Sequence, residues 1–264
     1  MIGRESIRID EVSMTYGSSK ILDSVSLSIG KGSVVTMVGP NGCGKTTLLK
    51  IINNLLKPDK GRVLVEGMEV NSMPSHRLAR IMGYVPQGHR ISFPFKVRDV
   101  VITGRMPYIS AFSSPKREDL ERTEQALSLV GISGLADQPY TQISGGERQL
   151  VMIARAMVQQ PSVLLLDEPT SYLDFKNQIS TLKMIKEISR NRGVTVVMTL
   201  HDPNHALMFS DEIVLLRKLN GSREENVIAF GSPNETMTPQ NIQAAYGMEV
   251  EILDVRGRKL LLPV

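Results

Sequence analysis

The chain has 264 residues, 41% hydrophobic and 22% charged, with a formal net charge of +4, enough apolar material for one or two globular domains. It contains no run of about 18 apolar residues, so no membrane-spanning helix is expected, and Met1–Arg8 lacks the apolar stretch of a signal peptide. A single cysteine, Cys43, excludes an internal disulfide framework, so the chain is expected on the cytosolic side of the cell membrane.

In chain order, Ile7, Ile9, Val12 and Met14 are the apolar positions of an alternating run broken at Asp10-Glu11, which predicts an edge strand. Val25 to Ile29 alternates again. Gly30-Lys31-Gly32 then turns the chain into Ser33–Val38, a run that suits a buried strand. Directly after it comes Gly39-Pro40-Asn41-Gly42-Cys43-Gly44-Lys45-Thr46-Thr47, which fits G-x-x-x-x-G-K-[ST], the phosphate-binding loop of nucleoside triphosphatases. Gly42 and Gly44 let the backbone turn tightly and bring its N–H groups to phosphate oxygens. Lys45 can reach the β- and γ-phosphates, and Thr46 offers a hydroxyl to Mg²⁺. A helix is expected from Lys45 to Asn54, its positive N-terminus facing the bound anion. Cys43 is expected to be a small tolerated side chain in the loop, whose alkylation would block ATP.

Gly61–Gly67 holds another short strand, and Ile81–Val85 a further one that ends at Pro86-Gln87. From 88 to 160 the pattern is helical, punctuated by Pro94, Pro107 and Pro115, with one helix expected over Lys116–Val130. Between His76 and Arg122 nine Lys and Arg stand against four Asp and Glu. That surplus is either a solvated face or a surface that docks near lipid headgroups or an acidic partner. Phe93-Pro94-Phe95 is either a docking point for a membrane partner or a buried loop anchor.

Ser144, followed three residues later by Glu147, forms a capping box, and Leu150, Ile153, Ala154, Met157 and Val158 give the helix behind it an apolar face. Gly145 and Gly146 expose backbone N–H groups at that helix N-terminus, a second anion site. Val163–Leu166 is an apolar run ending in Asp167 and Glu168, as in a strand buried on both faces of a parallel sheet. A helix follows over Lys176–Arg192, then a strand over Val194–Leu200 that ends at His201-Asp202. Short terminal strands surround a helix from Pro239 to Tyr246.

Phosphoryl transfer needs positioning and charge neutralisation more than covalent chemistry. Lys45 and the loop would hold the phosphates, while Thr46 and Asp167 would hold Mg²⁺ directly or through water. Glu168 can act as general base on the attacking water. Gln87 can touch the metal or that water, and His201 the γ-phosphate. A lone His or Gln after a strand is ordinarily structural. Here they share with the carboxylates the carboxyl ends of strands, where open α/β sheets bind ligands.

With these motifs in this order the sequence resembles the ATP-binding cassette (ABC) family over nearly its whole length. Gly39–Thr47 matches the Walker A motif, Gln87 the Q-loop, Ser144-Gly145-Gly146-Glu147 the signature motif and Leu164–Glu168 Walker B. Ser171-Tyr172-Leu173-Asp174 matches the D-loop, His201 the switch histidine and Tyr16 the aromatic that stacks on adenine. Ile143 replaces the usual Leu of the signature.

The resemblance implies one ABC ATPase domain over 1–264, an α/β P-loop NTPase. Residues 1–87 and 161–264 would form a RecA-like core sheet with an antiparallel β subdomain, and 88–160 an inserted helical subdomain. It also implies a head-to-tail dimer with a second copy, in which Ser144, Gly145, Gly146 and Asp174 serve the partner's ATP. Separate transmembrane permease subunits, an indirectly acting substrate-binding protein, and a peripheral place on the cytoplasmic face of the cell membrane follow in the same way. Val97–Tyr108 and Thr199–Asn204 are similar to iron-siderophore, haem and vitamin B12 importers, with molybdate/tungstate and other metal-ion importers as the alternative. A soluble ABC protein acting on nucleic acid or ribosomes would carry tandem cassettes, a coiled coil or a zinc hook. None is visible, so no nucleic-acid partner is expected.

Overall fold

The structure, a computed structural model, describes residues 5–88, 93–110, 113–171, 173–219 and 225–264. The chain divides into two compact units, the first formed by 1–73 and 186–264, the second by 74–185. In chain order the first begins with strands β1 (Glu5–Tyr16), β2 (Ser19–Gly30) and β3 (Val34–Val38), helix α1 (Lys45–Ile52), and strands β4 (Lys60–Val65) and β5 (Met68–Glu69). The second holds α2 (Ser75–Ile81), β6 (Met82–Val85), α3 (Val97–Ile102), α4 (Arg117–Leu129), α5 (Gly145–Met157), β7 (Val163–Leu166) and most of α6 (Phe175–Arg192). The chain then returns to the first through β8 (Thr195–Thr199), α7 (Pro203–Phe209), β9 (Glu212–Leu216), β10 (Val227–Gly231), α8 (Pro233–Thr236), α9 (Pro239–Tyr246), β11 (Val250–Val255) and β12 (Arg258–Pro263).

The first unit carries an antiparallel sheet ordered β2-β1-β4-β5. Strand β1 is therefore an inner strand, paired to β2 on one side and β4 on the other, and not the expected edge. The break at Asp10-Glu11 is a bulge. Glu11 takes a left-handed φ of 51°, and the register to both neighbours shifts between Ile9 and Ser13. An extra residue there keeps Ile9 and Val12 on the buried side, which strict alternation would not. In the same unit β3 pairs in parallel with β8 and with β9, and β10 adds antiparallel to β9. All five residues of β3 and all five of β8 are buried, as strands covered on both faces require. The parallel register sets Met37 beside Thr199, so the residues after β3 and after β8 leave the sheet at the same end.

In the second unit β6 and β7 are parallel, with Val85 opposite Leu166. The expected helical segment 88–160 lies within this unit, which also takes in these two strands and the start of α6. Of the expected apolar face of α5 and its C-cap, Ile153, Ala154, Met157 and Val158 are buried and Leu150 is half-buried, while Val151, Met152 and Ala156 are buried as well. Five of the nine cations counted between 76 and 122 are held by carboxylates. Lys96 and Arg98 share Asp137, Arg105 meets Asp119, Arg117 meets Glu121 and Arg122 meets Glu118. That pairing favours a locally neutralised face over a lipid-docking one; Arg90 lies outside the described residues.

The Arg105–Asp119 pair differs from the others in being buried. Arg105 Nε donates to Asp119 at 2.8 Å, Arg105 Nη1 donates to the Val158 carbonyl at 3.3 Å, and the guanidinium stacks on the Tyr108 ring at 3.9 Å. The hydrogen bond from Arg105 holds the Asp119 carboxyl below its ordinary value. A lowered folded-state pKa contributes stability above the unfolded carboxylate range, lost as pH falls through the folded value. Asp119→Ala leaves a buried guanidinium unpaired and should cost about 3–5 kcal/mol in urea unfolding of the second unit. Glu121→Ala, which breaks an exposed helical pair, should cost about 0.5 kcal/mol or less. Equal costs would contradict this assignment of burial.

Candidate functional site

In the first unit the loop after β3 folds as a cradle. Gly42 and Gly44 adopt φ values of 79° and 102°, which glycine takes without strain. Gly39 is fixed by space: a Cβ there would stand 2.3 Å from the Leu216 carbonyl oxygen and 2.8 Å from Cys43 Sγ. Lys45 begins α1, is buried, and donates its Nζ to the carbonyls of Gly39 at 2.7 Å and Pro40 at 3.2 Å. The loop's own carbonyls thus hold the ammonium beside the positive N-terminus of α1. Thr46 and Thr47 lie in the first turn of α1, and Asn41 on the exposed crown of the loop. Behind it, Asn226 Nδ2 donates to the Cys43 carbonyl at 3.3 Å and the Arg217 carbonyl at 2.8 Å, tying loop to sheet.

Tyr16, at the end of β1, leaves 47% of its surface exposed, as a ring must to stack on a base. His201 is exposed in the turn between β8 and α7, and Asp202 caps α7 by accepting from the Asn204 backbone N–H at 2.8 Å. The parallel register brings Gly39–Thr47 and His201 to one end of one sheet.

In the second unit Asp167 is buried, and its backbone N–H donates to the Val85 carbonyl at 2.9 Å, continuing the β6–β7 pairing one residue past the strand. The Tyr84 hydroxyl is pushed up to about 12, first by burial and then by the Asp167 carboxylate nearby. Glu168 adopts a left-handed φ of 51°, a conformation that costs a non-glycine residue on the order of 1 kcal/mol and is concentrated at functional positions. Its Oε2 accepts a short hydrogen bond from Gln87 Nε2 and another from Ser171 Oγ at 2.8 Å. Gln87 and Glu168 are therefore brought together as the strand-end argument expects, and Ser171 is a partner that the motif match alone does not reveal.

The capping box forms as expected. Ser144 accepts from the Glu147 N–H at 3.3 Å and Glu147 accepts from the Ser144 N–H at 2.8 Å; hydrogen bonding with the Ser144 side chain first, and with its backbone second, lowers the Glu147 carboxyl. Asp174 caps α6, accepting from the backbone N–H of Asn177 at 2.8 Å and from its amide at 3.2 Å. Tyr172 lies outside the described residues. Phe93 and Phe95 are 68% and 54% exposed with ring centroids 5.9 Å apart, so they are a surface feature and not a buried anchor.

A loop of this geometry after a buried parallel strand, with a lysine and threonine opening the next helix, defines a phosphate-loop nucleoside triphosphatase. The chain belongs to the ABC transporter family, whose model matches residues 22–171. It is 38% identical over 258 residues to an uncharacterised ABC transporter ATP-binding protein of Methanocaldococcus jannaschii, covering 98% of each chain. It is 33% identical over 260 residues to the ferric enterobactin transport ATP-binding protein of Escherichia coli K12, covering 98% of this chain and 94% of that one. A solved metal-chelate type ABC transporter, in an inward-facing conformation, superposes with a TM-score of 0.85 at 28% identity over 98% of both chains. Cassettes of this family bind ATP and ADP, hydrolyse ATP, and form dimers.

Cys43 is 1% exposed, and burial pushes its thiol up although Lys45 pulls the other way. Thiolate is the reactive form, so folded protein at pH 8 should label with a maleimide at least about tenfold more slowly than urea-unfolded protein. Equal rates would mean that the loop opens freely in solution.

Proposed function

We propose that the chain is the ATP-hydrolysing subunit of an importer for a metal chelate of the iron-siderophore, haem or cobalamin type, working with separate permease subunits. The cargo class rests on similarity along nearly the full length to a ferric enterobactin ATP-binding protein and to a metal-chelate type transporter. The chemistry rests on one observation above all. A general-base candidate, Glu168, is held at the end of a buried strand by Gln87 and Ser171, in a chain whose phosphate loop already grips its lysine.

Tyr16 stacks on adenine, and Lys45 with the N–H groups of Gly39–Thr47 takes the phosphates. The side chains of Thr46, Asp167 and Gln87 all offer oxygen, the donor type that suits Mg²⁺. That ion, when bound, neutralises charge on the β- and γ-phosphates. Glu168 accepts the proton of the attacking water, and His201 hydrogen-bonds the γ-phosphate as charge builds on it.

Pairing with a second copy has its own support. Gly145 and Gly146 are the first two residues of α5, directly after its N-cap Ser144. A Cβ at Gly145 would meet nothing within 4 Å, and one at Gly146 only ordinary contacts to Leu173 and Asn177. Nothing in the described residues of this chain requires glycine at either position. The nucleotide of a head-to-tail partner would use the space that these two glycines leave open. Ser144 and Asp174 belong to that same surface. The exposed Phe93 and Phe95 suit docking against a permease, on the cytoplasmic face of the cell membrane. Among the described residues no helix is long and apolar enough to cross a membrane, which fits permease spans on separate chains. A substrate-binding protein would act through the permease, and no nucleic acid takes part.

Glu168→Gln should retain ATP binding and lower turnover by at least about 100-fold, with closed dimers accumulating in ATP on size exclusion. Lys45→Ala should instead lose binding. Near-normal hydrolysis by Glu168→Gln would refute the assignment of the base.

A further inference from the structure

The turn that presents His201 is held from an unexpected direction. Asn204 follows it by three residues, and its side chain leaves the turn altogether. Its Oδ1 accepts from the Leu261 N–H at 2.8 Å, and its Nδ2 donates to the Leu261 carbonyl at 3.2 Å. Both backbone groups of one residue in an antiparallel strand face the same side. Since those of Leu261 both meet Asn204, they face away from β11, where Ile252 stands opposite. The Asn204 amide thus occupies the outer edge of β12 as a single peptide unit of a third strand would.

The hairpin is held by other elements too: β11 runs beside α9, and Val250, Ile252 and Leu260 are half-buried. Among the described residues Leu261 is its fully buried one, on the strand that lies beside α7, while Leu253, Val255 and Leu262 remain 41–46% exposed. A two-stranded hairpin is marginal on its own in water, and the two-point amide clamp adds to what attaches it. The neighbouring helix α9 reaches the same region. Burial first, and then the Cys43 thiol, push the phenol of its last residue, Tyr246, up to about 12. The C-terminal segment is thus tied to the His201 turn, although no motif marks any part of it.

We infer that Asn204 is a positioning residue that fastens the His201 turn to the C-terminal hairpin, so that residues 250–263 set where His201 meets the γ-phosphate. This rests on His201 acting in hydrolysis, as proposed above. The turn is short and rigid: Asp202 caps α7 and Pro203 occupies its first position. A displacement of Asn204 consequently has few bonds over which to be absorbed before His201. Ground-state binding of ATP runs through Lys45 and the loop, which the clamp does not touch, so loss of the clamp should act on kcat and spare KM.

The test is steady-state ATP hydrolysis by the full chain carrying Asn204→Ala, Asn204→Asp or His201→Ala, with amide hydrogen exchange at Leu261 as the report on the clamp. Asn204→Ala should speed exchange at Leu261 and lower kcat about tenfold, with KM for ATP within twofold, since small misplacements of a reacting group cost this much. Asn204→Asp, which keeps the acceptor for the Leu261 N–H, should recover part of kcat. Should Asn204→Ala fail to fold, it carries the same comparison. The double variant with His201→Ala should be no slower than His201→Ala alone. Full turnover in Asn204→Ala despite fast exchange, beside a slow His201→Ala, would overturn the inference alone. Full turnover in His201→Ala would overturn it together with the role of His201.

Discussion

A buried ammonium held by backbone carbonyls is the interaction on which the rest depends. Lys45 sits with Nζ on the Gly39 and Pro40 carbonyls, at the positive start of α1. Taking a charge out of water is costly unless its protons are bonded, and the loop meets that demand with its own backbone. The geometry leaves no slack elsewhere. Gly39 has no space for a side chain between Leu216 and Cys43, and Asn226 braces the Cys43 carbonyl from behind. Strand β3, buried at every position, must carry the loop to this point without a register choice, and its two parallel neighbours fix it.

The second unit solves the opposite problem, how to present carboxylates at the end of a buried strand. Asp167 continues the pairing to β6 through its backbone, which fixes its direction. Glu168 then turns into a left-handed conformation that redirects its side chain, and Gln87 and Ser171 hold it there. The strain at Glu168 is local and small beside the burial of Val163–Leu166, so the fold can maintain it. Each unit thus carries one part of the chemistry: a grip for phosphate in the first, acids and a capped glycine pair in the second.

Much of this was legible in the sequence because the determinants are local. The phosphate loop, the capping box at Ser144, the apolar run before Asp167 and the helix Pro239–Tyr246 each depend on residues a few positions apart, and each forms as expected. What the sequence hid was set by distant partners or by rare backbone. The break at Asp10-Glu11 suggested an edge strand because Glu11 is not a residue that advertises a left-handed bulge, and the pairing of β1 to β4 joins residues 47 to 58 apart. The basic run from 76 to 122 looked unbalanced because Asp137, which holds Lys96 and Arg98, lies outside it. The clamp made by Asn204 gave no signal, since its partner Leu261 is 57 residues away and is recognised through backbone atoms that any residue would supply.

The most direct measurement is affinity purification of the tagged chain from detergent-solubilised native membranes, with the co-purifying proteins identified and ATP hydrolysis of the complex assayed. The account predicts a polytopic permease in equal amount to the chain, a metal-chelate binding protein, and ATP hydrolysis that responds to that protein with its cargo. Ribosomal or DNA-repair proteins in place of any polytopic subunit would contradict the transport role, while leaving the nucleotide chemistry of the loop intact.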